Sequence, residues 1–132
     1  MNRRYALVAV RAPVVAGLAV GAYVHFDLAS TYAEAGGAIN EGVLFAAEAV
    51  AALLAALVVG IYGNRASYLA AFAVAGSALA AVLVSRYLDL GTIGSFPDLY
   101  DPVWYGEKVL AAVAEGVAVL AALARFAFSP GR

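Results

Sequence analysis

The chain has no cysteine, one histidine, one methionine and few charged residues. Without cysteine it has no disulfides, thiolate nucleophiles or Cys-ligated metal clusters. A haem held between helices needs two axial side chains, and only His25 is available besides the terminal Met1. Charged residues make up 13% of the chain and its net charge is −1, so the sequence offers no basic surface for nucleic acid.

The motifs of common enzyme classes are also missing. The sequence contains no G-x-S-x-G, no phosphate-binding loop and no H-E-x-x-H pattern. Ser77 and Ser85 have no histidine and aspartate in helical register to activate them. These absences favour a protein that is not an enzyme, and no pattern in the sequence names a cofactor.

Apolar residues are what the chain has in abundance. They make up 65% of its 132 residues, with a mean hydropathy of +0.90, against roughly 45–50% in soluble domains. As a helix, residues 43–61 would span roughly 28 Å, close to the roughly 30 Å hydrocarbon core of a bilayer. We therefore predict an all-α integral membrane protein, multi-pass in the cell membrane, with residues 1–132 forming a single domain.

Hydropathy and turn residues predict four transmembrane helices in an antiparallel bundle, at about residues 5–28, 40–63, 66–88 and 102–128. The first membrane span is expected to start near Ala12, with Pro13 in its first turn. A cleaved signal peptide is the alternative interpretation of this basic and then apolar start. Gly17 and Gly21 form a G-x-x-x-G pair, which predicts the close approach of a neighbouring helix.

Turn and cap residues mark the remaining helix boundaries. Gly63 and Asn64 end the second helix, and the very short turn at Asn64 and Arg65 predicts antiparallel neighbours. Asp101 followed by Pro102 predicts the N-cap and first residue of the last helix.

The distribution of charge predicts the orientation. Six of the eight basic residues fall on one side of the predicted bundle: Arg3, Arg4, Arg11, Arg65, Arg125 and Arg132. The nine acids all belong to the opposite half or to its loops. Because basic residues concentrate on the cytoplasmic side of membrane proteins, both termini are predicted to be cytoplasmic.

Five titratable residues are predicted to meet in the outer half of this bundle: His25, Glu48, Arg86, Lys108 and Glu115. An ionised group within the bilayer costs on the order of 3 kcal/mol on insertion scales, so such groups face other helices. One interpretation is a structural ion-pair cluster, in which the two bases neutralise Glu48 and Glu115. The other is a ligand site open to the outer face.

A divalent metal is a further hypothesis for this region. His25, Asp27, Glu48 and Glu115 together would supply an imidazole and three carboxylates, which are suitable metal ligands. They are scattered along the chain without a local metal-binding spacing, so the sequence leaves the question of a metal open.

The sequence contains Gly21 to His25 at the end of the first predicted helix, Glu48 followed by small residues to Leu54 in the second, and a short basic turn at Arg65. On these residues the chain resembles the DoxX-like small four-helix membrane proteins, loosely over the first three helices and not at all over residues 101–108. It implies a four-helix membrane protein that acts as an accessory subunit or as a quinone-linked or redox-stress component. It also implies that Glu48 belongs to a shared polar site.

Two functional hypotheses follow. The first is an accessory or ligand-binding membrane protein that packs against itself or within a larger membrane complex. The second is a membrane oxidoreductase component or a transporter that binds a quinone, a metal ion or a proton at the five-residue cluster. The lipid bilayer is the one partner that the composition itself indicates.

Overall fold

The computed structural model describes residues 3–32, 41–91 and 100–128, with the side chains of residues 8–29, 42–91 and 100–126. These residues form four helices: α1 (Arg3–Tyr32), α2 (Glu41–Ile61), α3 (Arg65–Tyr87) and α4 (Gly106–Phe128). Each helix contains a stretch that is long and apolar enough to cross a membrane. The predicted all-α class and the four apolar helices are thus confirmed. Most of the two longer predicted loops, at 29–39 and 89–101, lies outside the described residues.

Helix α1 is longer than its predicted membrane span. It begins at Arg3 and continues through Arg11 and Pro13, so that Pro13 lies inside the helix. The expected start near Ala12, with proline in the first turn, is therefore wrong. Proline removes one backbone donor from a helix, and membrane helices tolerate this where neighbouring groups or local adjustments satisfy the freed carbonyl.

The turn between α2 and α3 lies at the predicted residues, Gly63 and Asn64. Gly63 adopts a left-handed conformation with φ of +60°, which glycine reaches without a steric penalty. The Asn64 side chain then accepts a hydrogen bond from the Ser67 backbone N–H at 2.9 Å, and the Ser67 hydroxyl donates to the Asn64 carbonyl at 2.7 Å. Asn64 is thus the N-cap of α3.

Helix α4 begins at Gly106, so the prediction that Asp101 and Pro102 start it is wrong. The Lys108 ammonium donates hydrogen bonds to the carbonyls of Asp101 at 2.5 Å and Val103 at 3.3 Å. These carbonyls bind a side chain instead of the backbone N–H groups of a helical turn. The segment 101–105 therefore stays non-helical and lies across the start of α4.

Helix α1 packs against α2 and α4, and α3 packs against α4 and α2, whereas α1 and α3 barely touch. Helix α1 approaches α4 closely at Gly17. A Cβ atom there would lie 2.5 Å from the Ala114 carbonyl oxygen and 3.1 Å from the Ala118 Cβ. This confirms the close helix contact that the G-x-x-x-G pair predicts, with α4 as the neighbour.

The two ends of the bundle differ in their side chains. The arginine end is the end that contains Arg11, Gly63, Arg65 and Arg125, and the larger apolar core lies towards it. Small residues and valines make up most of that core, with Tyr68 as its one aromatic member that is fully buried. The cavity end is the end that contains His25, Glu48, Asp101 and Lys108. Its apolar cluster is smaller and is built on Val24, Leu28 and Ala111.

Candidate functional site

A cavity of about 370 Å³ lies at the cavity end, lined mainly by α2 and α3, with residues of α1, α4 and the segment 101–105 completing the wall. Most of its wall is apolar, formed by leucine, valine, alanine and phenylalanine side chains. The polar members of the wall are His25, Glu48, Ser77, Ser85, Asp101, Tyr105 and Lys108. Helices α2 and α3 pack less closely than the other neighbouring pairs, which leaves room for this space.

The structure places three of the five predicted site residues on the cavity wall: His25, Glu48 and Lys108. Glu115 lies behind the wall and faces His25. Arg86 is not part of the wall and turns towards aromatic side chains instead. The predicted cluster is therefore divided between the wall, one buried residue behind it and one residue beside it.

His25 is held in a fixed orientation by α1 itself. Its Nδ1–H donates to the Gly21 carbonyl oxygen one turn earlier, at 2.7 Å. A carbonyl only accepts hydrogen bonds, so this contact places a proton on Nδ1. The ring also packs at 5.8 Å from the Phe45 ring, and the residue is buried. Its second nitrogen, Nε2, is left to face α4.

Glu115 meets that second nitrogen in a nearly dry place. Its Oε1 lies 3.7 Å from His25 Nε2, and the residue is 3% exposed. Gly21 makes room for it, since a Cβ at Gly21 would lie 3.9 Å from the Glu115 Cγ. Neither carboxyl oxygen has a hydrogen-bond partner among the described residues.

The geometry of the His25 and Glu115 pair has a consequence for protons. Because Nδ1 already carries a hydrogen, a neutral His25 offers only a lone pair at Nε2. The two groups attract each other only when a further proton sits on Nε2 or on the Glu115 carboxyl. The attraction between His25 and Glu115 therefore depends on a single proton, and the pair lies next to the cavity wall.

Lys108 has a partner other than the one predicted for it. Its ammonium lies 3.4 Å from the Asp101 carboxylate and binds two carbonyls of the segment 101–105. It also lies 5.8 Å from the ring centroids of Trp104 and Tyr105. The residue is buried, so this set of oxygens and rings replaces its hydration. Lys108 therefore fixes the segment 101–105 rather than neutralising Glu115.

Arg86 likewise does not neutralise the buried acids. Its guanidinium lies 4.7 Å from the Tyr87 ring centroid and 6.0 Å from that of Trp104, which are cation–π distances. In the part of the chain that the structure describes, neither Arg86 nor Lys108 lies within ion-pair distance of Glu48 or Glu115. The interpretation in which the two bases neutralise these acids is therefore wrong.

The metal hypothesis receives no support from the geometry. Among the described residues, no three histidine, aspartate or glutamate side chains come together as metal ligands. Asp27, which that hypothesis includes, instead forms a side-chain hydrogen bond with Glu107 at the start of α4.

The sequence reasoning missed the α3 side of the cavity. Ser77 and Ser85 line it, whereas the sequence motifs address these serines only as possible nucleophiles. Their hydroxyls donate to the carbonyls of Val74 and Val82, at 2.9 and 2.8 Å, so each hydroxyl keeps lone pairs free to accept hydrogen bonds. The small residues of α3 at helical spacing were the available signal for this wall: Ala78, Ala81 and Ser85.

Comparison with known proteins adds no family: no family model, no curated protein and no solved structure matches the chain. The resemblance to the DoxX-like proteins therefore stays a prediction, and functional arguments rest on the cavity and on the two ends of the bundle.

Proposed function

We propose that the chain is a multi-pass protein of the cell membrane, an antiparallel four-helix bundle with both termini in the cytoplasm. The four long apolar helices support this. So does the division of charge, because Arg11, Arg65 and Arg125 gather at the arginine end while the described acids lie towards the cavity end. In this orientation the cavity lies in the outer half of the membrane.

We propose further that the protein binds a small amphipathic molecule in the cavity. The observation that supports this is the cavity itself, about 370 Å³ with mostly apolar walls and a few polar groups. Small-molecule pockets have volumes of about 300–1,000 Å³ and the same kind of lining. The apolar wall suits a lipid-like tail, and the looser contact between α2 and α3 gives such a molecule a way in from the bilayer.

The polar groups of the wall favour a ligand head group that donates hydrogen bonds. Glu48, Ser77 and Ser85 all offer oxygen acceptors to the cavity. The Lys108 ammonium is already engaged by the segment 101–105. A hydroxyl or amine head group therefore complements the wall better than a carboxylate or a phosphate.

The proposal is tested with a long-chain alcohol that carries bromine on its tail. Bromine quenches tryptophan fluorescence at short range, and Trp104 is the only tryptophan in the chain and contacts the cavity-lining Lys108. We expect saturable quenching with the unmodified protein in nanodiscs. Quenching that rises linearly with the alcohol content of the bilayer would indicate lipid contact without a site.

A matched pair of variants places the alcohol in the cavity. Ala81→Phe fills the space from the wall of α3, whereas Ala80→Phe adds the same ring to the exposed neighbouring position outside the lining. We expect Ala81→Phe to abolish saturable quenching and Ala80→Phe to leave it intact. Equal behaviour of the two variants would contradict the proposal.

A second candidate is a component of a membrane oxidoreductase whose ligand is a quinol. The contact between His25 and Glu115, whose attraction depends on protonation and which lies directly behind the wall, favours it. It predicts that a short-chain quinol displaces the brominated alcohol and that Glu48→Ala weakens this displacement. An accessory role in a larger complex and self-association stay predictions.

A further inference from the structure

The arginine end carries cationic groups from three helices around the start of α3. Arg11 of α1 lies directly against the turn before α3, since a Cβ at Gly63 would overlap its guanidinium. Gly63 is therefore required twice, for its positive φ of +60° and for the space that Arg11 occupies. Arg65 is the first residue of α3 itself.

Two of these cations are held by reciprocal contacts between α3 and α4. The Arg65 guanidinium lies over the Phe126 ring at 5.3 Å, and the Arg125 guanidinium lies over the Tyr68 ring, also at 5.3 Å. Tyr68 and Arg125 are buried, whereas Arg65 is exposed. Rings of this kind hold the plane of a guanidinium and leave its N–H edge available.

No described acid balances the two accessible cations. Within residues 8–29, 42–91 and 100–126, neither Arg11 nor Arg65 lies within ion-pair distance of a carboxylate. The acids in those ranges lie in the half of each helix nearer the cavity end or in its connecting segments. Arg11 lies against Gly63 and Arg65 follows two residues later, so both cations belong to the turn before α3, where a bound anion would relieve their mutual repulsion.

We propose that the arginine end binds the phosphate of an anionic phospholipid head group, with Arg11 and Arg65 as its main contacts. Guanidinium groups bind phosphate oxygens in a bidentate geometry. The cytoplasmic leaflet supplies anionic lipid at this depth. The inference rests on the membrane orientation proposed above and is independent of the cavity ligand.

The test compares lipid retention by native mass spectrometry after reconstitution in phosphatidylcholine nanodiscs with and without phosphatidylglycerol. We expect the unmodified protein to retain phosphatidylglycerol selectively. The double variant Arg11→Gln/Arg65→Gln should bind it at least roughly tenfold more weakly, since each basic residue near an anionic surface contributes about 1 kcal/mol. Arg86→Gln removes one arginine at the opposite end and should retain the lipid as the unmodified protein does.

Additional measurements distinguish a lipid phosphate from free phosphate as the ligand. They also provide a second variant in case the double Gln variant does not fold. If inorganic phosphate displaces phosphatidylglycerol, the site takes free phosphate and the lipid proposal is overturned. Equal loss of lipid in Arg86→Gln and in the double variant would also overturn it. If the double Gln variant does not fold, Arg11→Lys/Arg65→Lys keeps the charge but not the bidentate geometry, and it should show intermediate retention. Retention by the Lys variant equal to that of the unmodified protein would contradict a phosphate held by guanidinium groups.

Discussion

The two ends of this bundle are built from similar helices, rich in alanine, glycine and valine, and yet one is tightly packed and the other encloses a cavity. Near the middle of the bundle, beside the larger apolar core that extends to the arginine end, Gly17 brings the backbone of α1 against Ala114 and Ala118 of α4. At the cavity end, Ala78 and Ala81 of α3 face space instead of a neighbouring backbone. Small residues therefore bring two helices into close contact only where the facing helix lies near. Where it does not, they leave space for a cavity.

The ends also differ in how they accommodate charge. At the arginine end, guanidinium groups rest on aromatic rings, Arg65 at the bundle surface and Arg125 in the interior. At the cavity end, the buried Lys108 is bound by the oxygens of the non-helical segment 101–105. The buried Glu115 has a polar contact with His25, at 3.7 Å. The cavity end thus depends on specific polar contacts, and the arginine end depends on packing.

The largest effect is expected from Lys108→Met, which tests this dependence directly. It removes hydrogen bonds from a charged donor to the carbonyls of Asp101 and Val103, and such bonds contribute about 1.5–3 kcal/mol each. We expect the free energy of unfolding in detergent to fall by about 3 kcal/mol and Trp104 fluorescence to shift to the red. Arg86→Met, which loses only ring contacts, is the matched control. Equal losses in the two variants would show that the segment 101–105 is not held by Lys108.

A somewhat smaller loss is expected from Gly17→Ala, which tests the packing of the helices. The added methyl group would meet the Ala114 carbonyl oxygen, and overpacking of this kind costs about 1–3 kcal/mol. Gly76→Ala on α3 meets no atom within 4 Å and should be neutral or slightly stabilising, because alanine favours the helix. Thermal unfolding of both variants measures the difference, and the idea fails if Gly76→Ala is the more damaging.

The next largest effects are expected from substitutions of Glu115. They distinguish the loss of a contact with His25 from the loss of the carboxyl charge. Glu115→Gln keeps the size of the side chain and offers an amide N–H group to the lone pair of His25 Nε2, so we expect a change below about 1 kcal/mol. Glu115→Met leaves that buried nitrogen without a partner and should cost about 1–3 kcal/mol. Chemical unfolding in detergent ranks the two. A more stable Met variant would mean that the His25 contact contributes nothing.

The smallest effect is expected from Glu48→Gln. Glu48 lies on the cavity wall and no described cation pairs with it, so neutralising it strands no buried charge. Substitutions of this kind change stability by about 0.5 kcal/mol or less. Binding of the brominated alcohol, measured by Trp104 quenching, should nevertheless weaken if an amine or hydroxyl head group meets Glu48. A large loss of stability would instead indicate an ion pair.

Hydropathy was sufficient to predict the four helices, because an apolar run of bilayer length has few other structures open to it. The turn at Gly63 and Asn64 and the close approach at Gly17 also followed from local patterns, whereas the role of Asn64 as the N-cap of α3 did not. The start of α4 did not follow from them. Pro102 favours a helix start, but the Lys108 side chain binds the carbonyls of the segment 101–105 and keeps this segment non-helical. Local cap rules contain no information about such contacts.

The candidate site was predictable only in part. The cost of burying charge correctly indicated that His25, Glu48 and Lys108 face the bundle interior, but it did not indicate which groups pair. Lys108 pairs with Asp101, seven residues before it, rather than with an acid on its own helix face. The α3 wall carries little charge, so a search for titratable residues overlooked Ser77 and Ser85.

The segment 101–105 is fastened on two sides, by Lys108 on α4 and by the Asp101 backbone N–H, which donates to the Ser85 carbonyl of α3 at 2.7 Å. Because Asp101 and Tyr105 of this segment line the cavity, we expect the fastened backbone to restrict passage from that end of the bundle. In the proposed orientation, molecules dissolved in the aqueous phase would therefore meet a barrier there, while those already dissolved in the bilayer would reach the interior sideways, past α2 and α3. We expect such a protein to select its ligands first by their solubility in the bilayer and only then by their fit to the cavity.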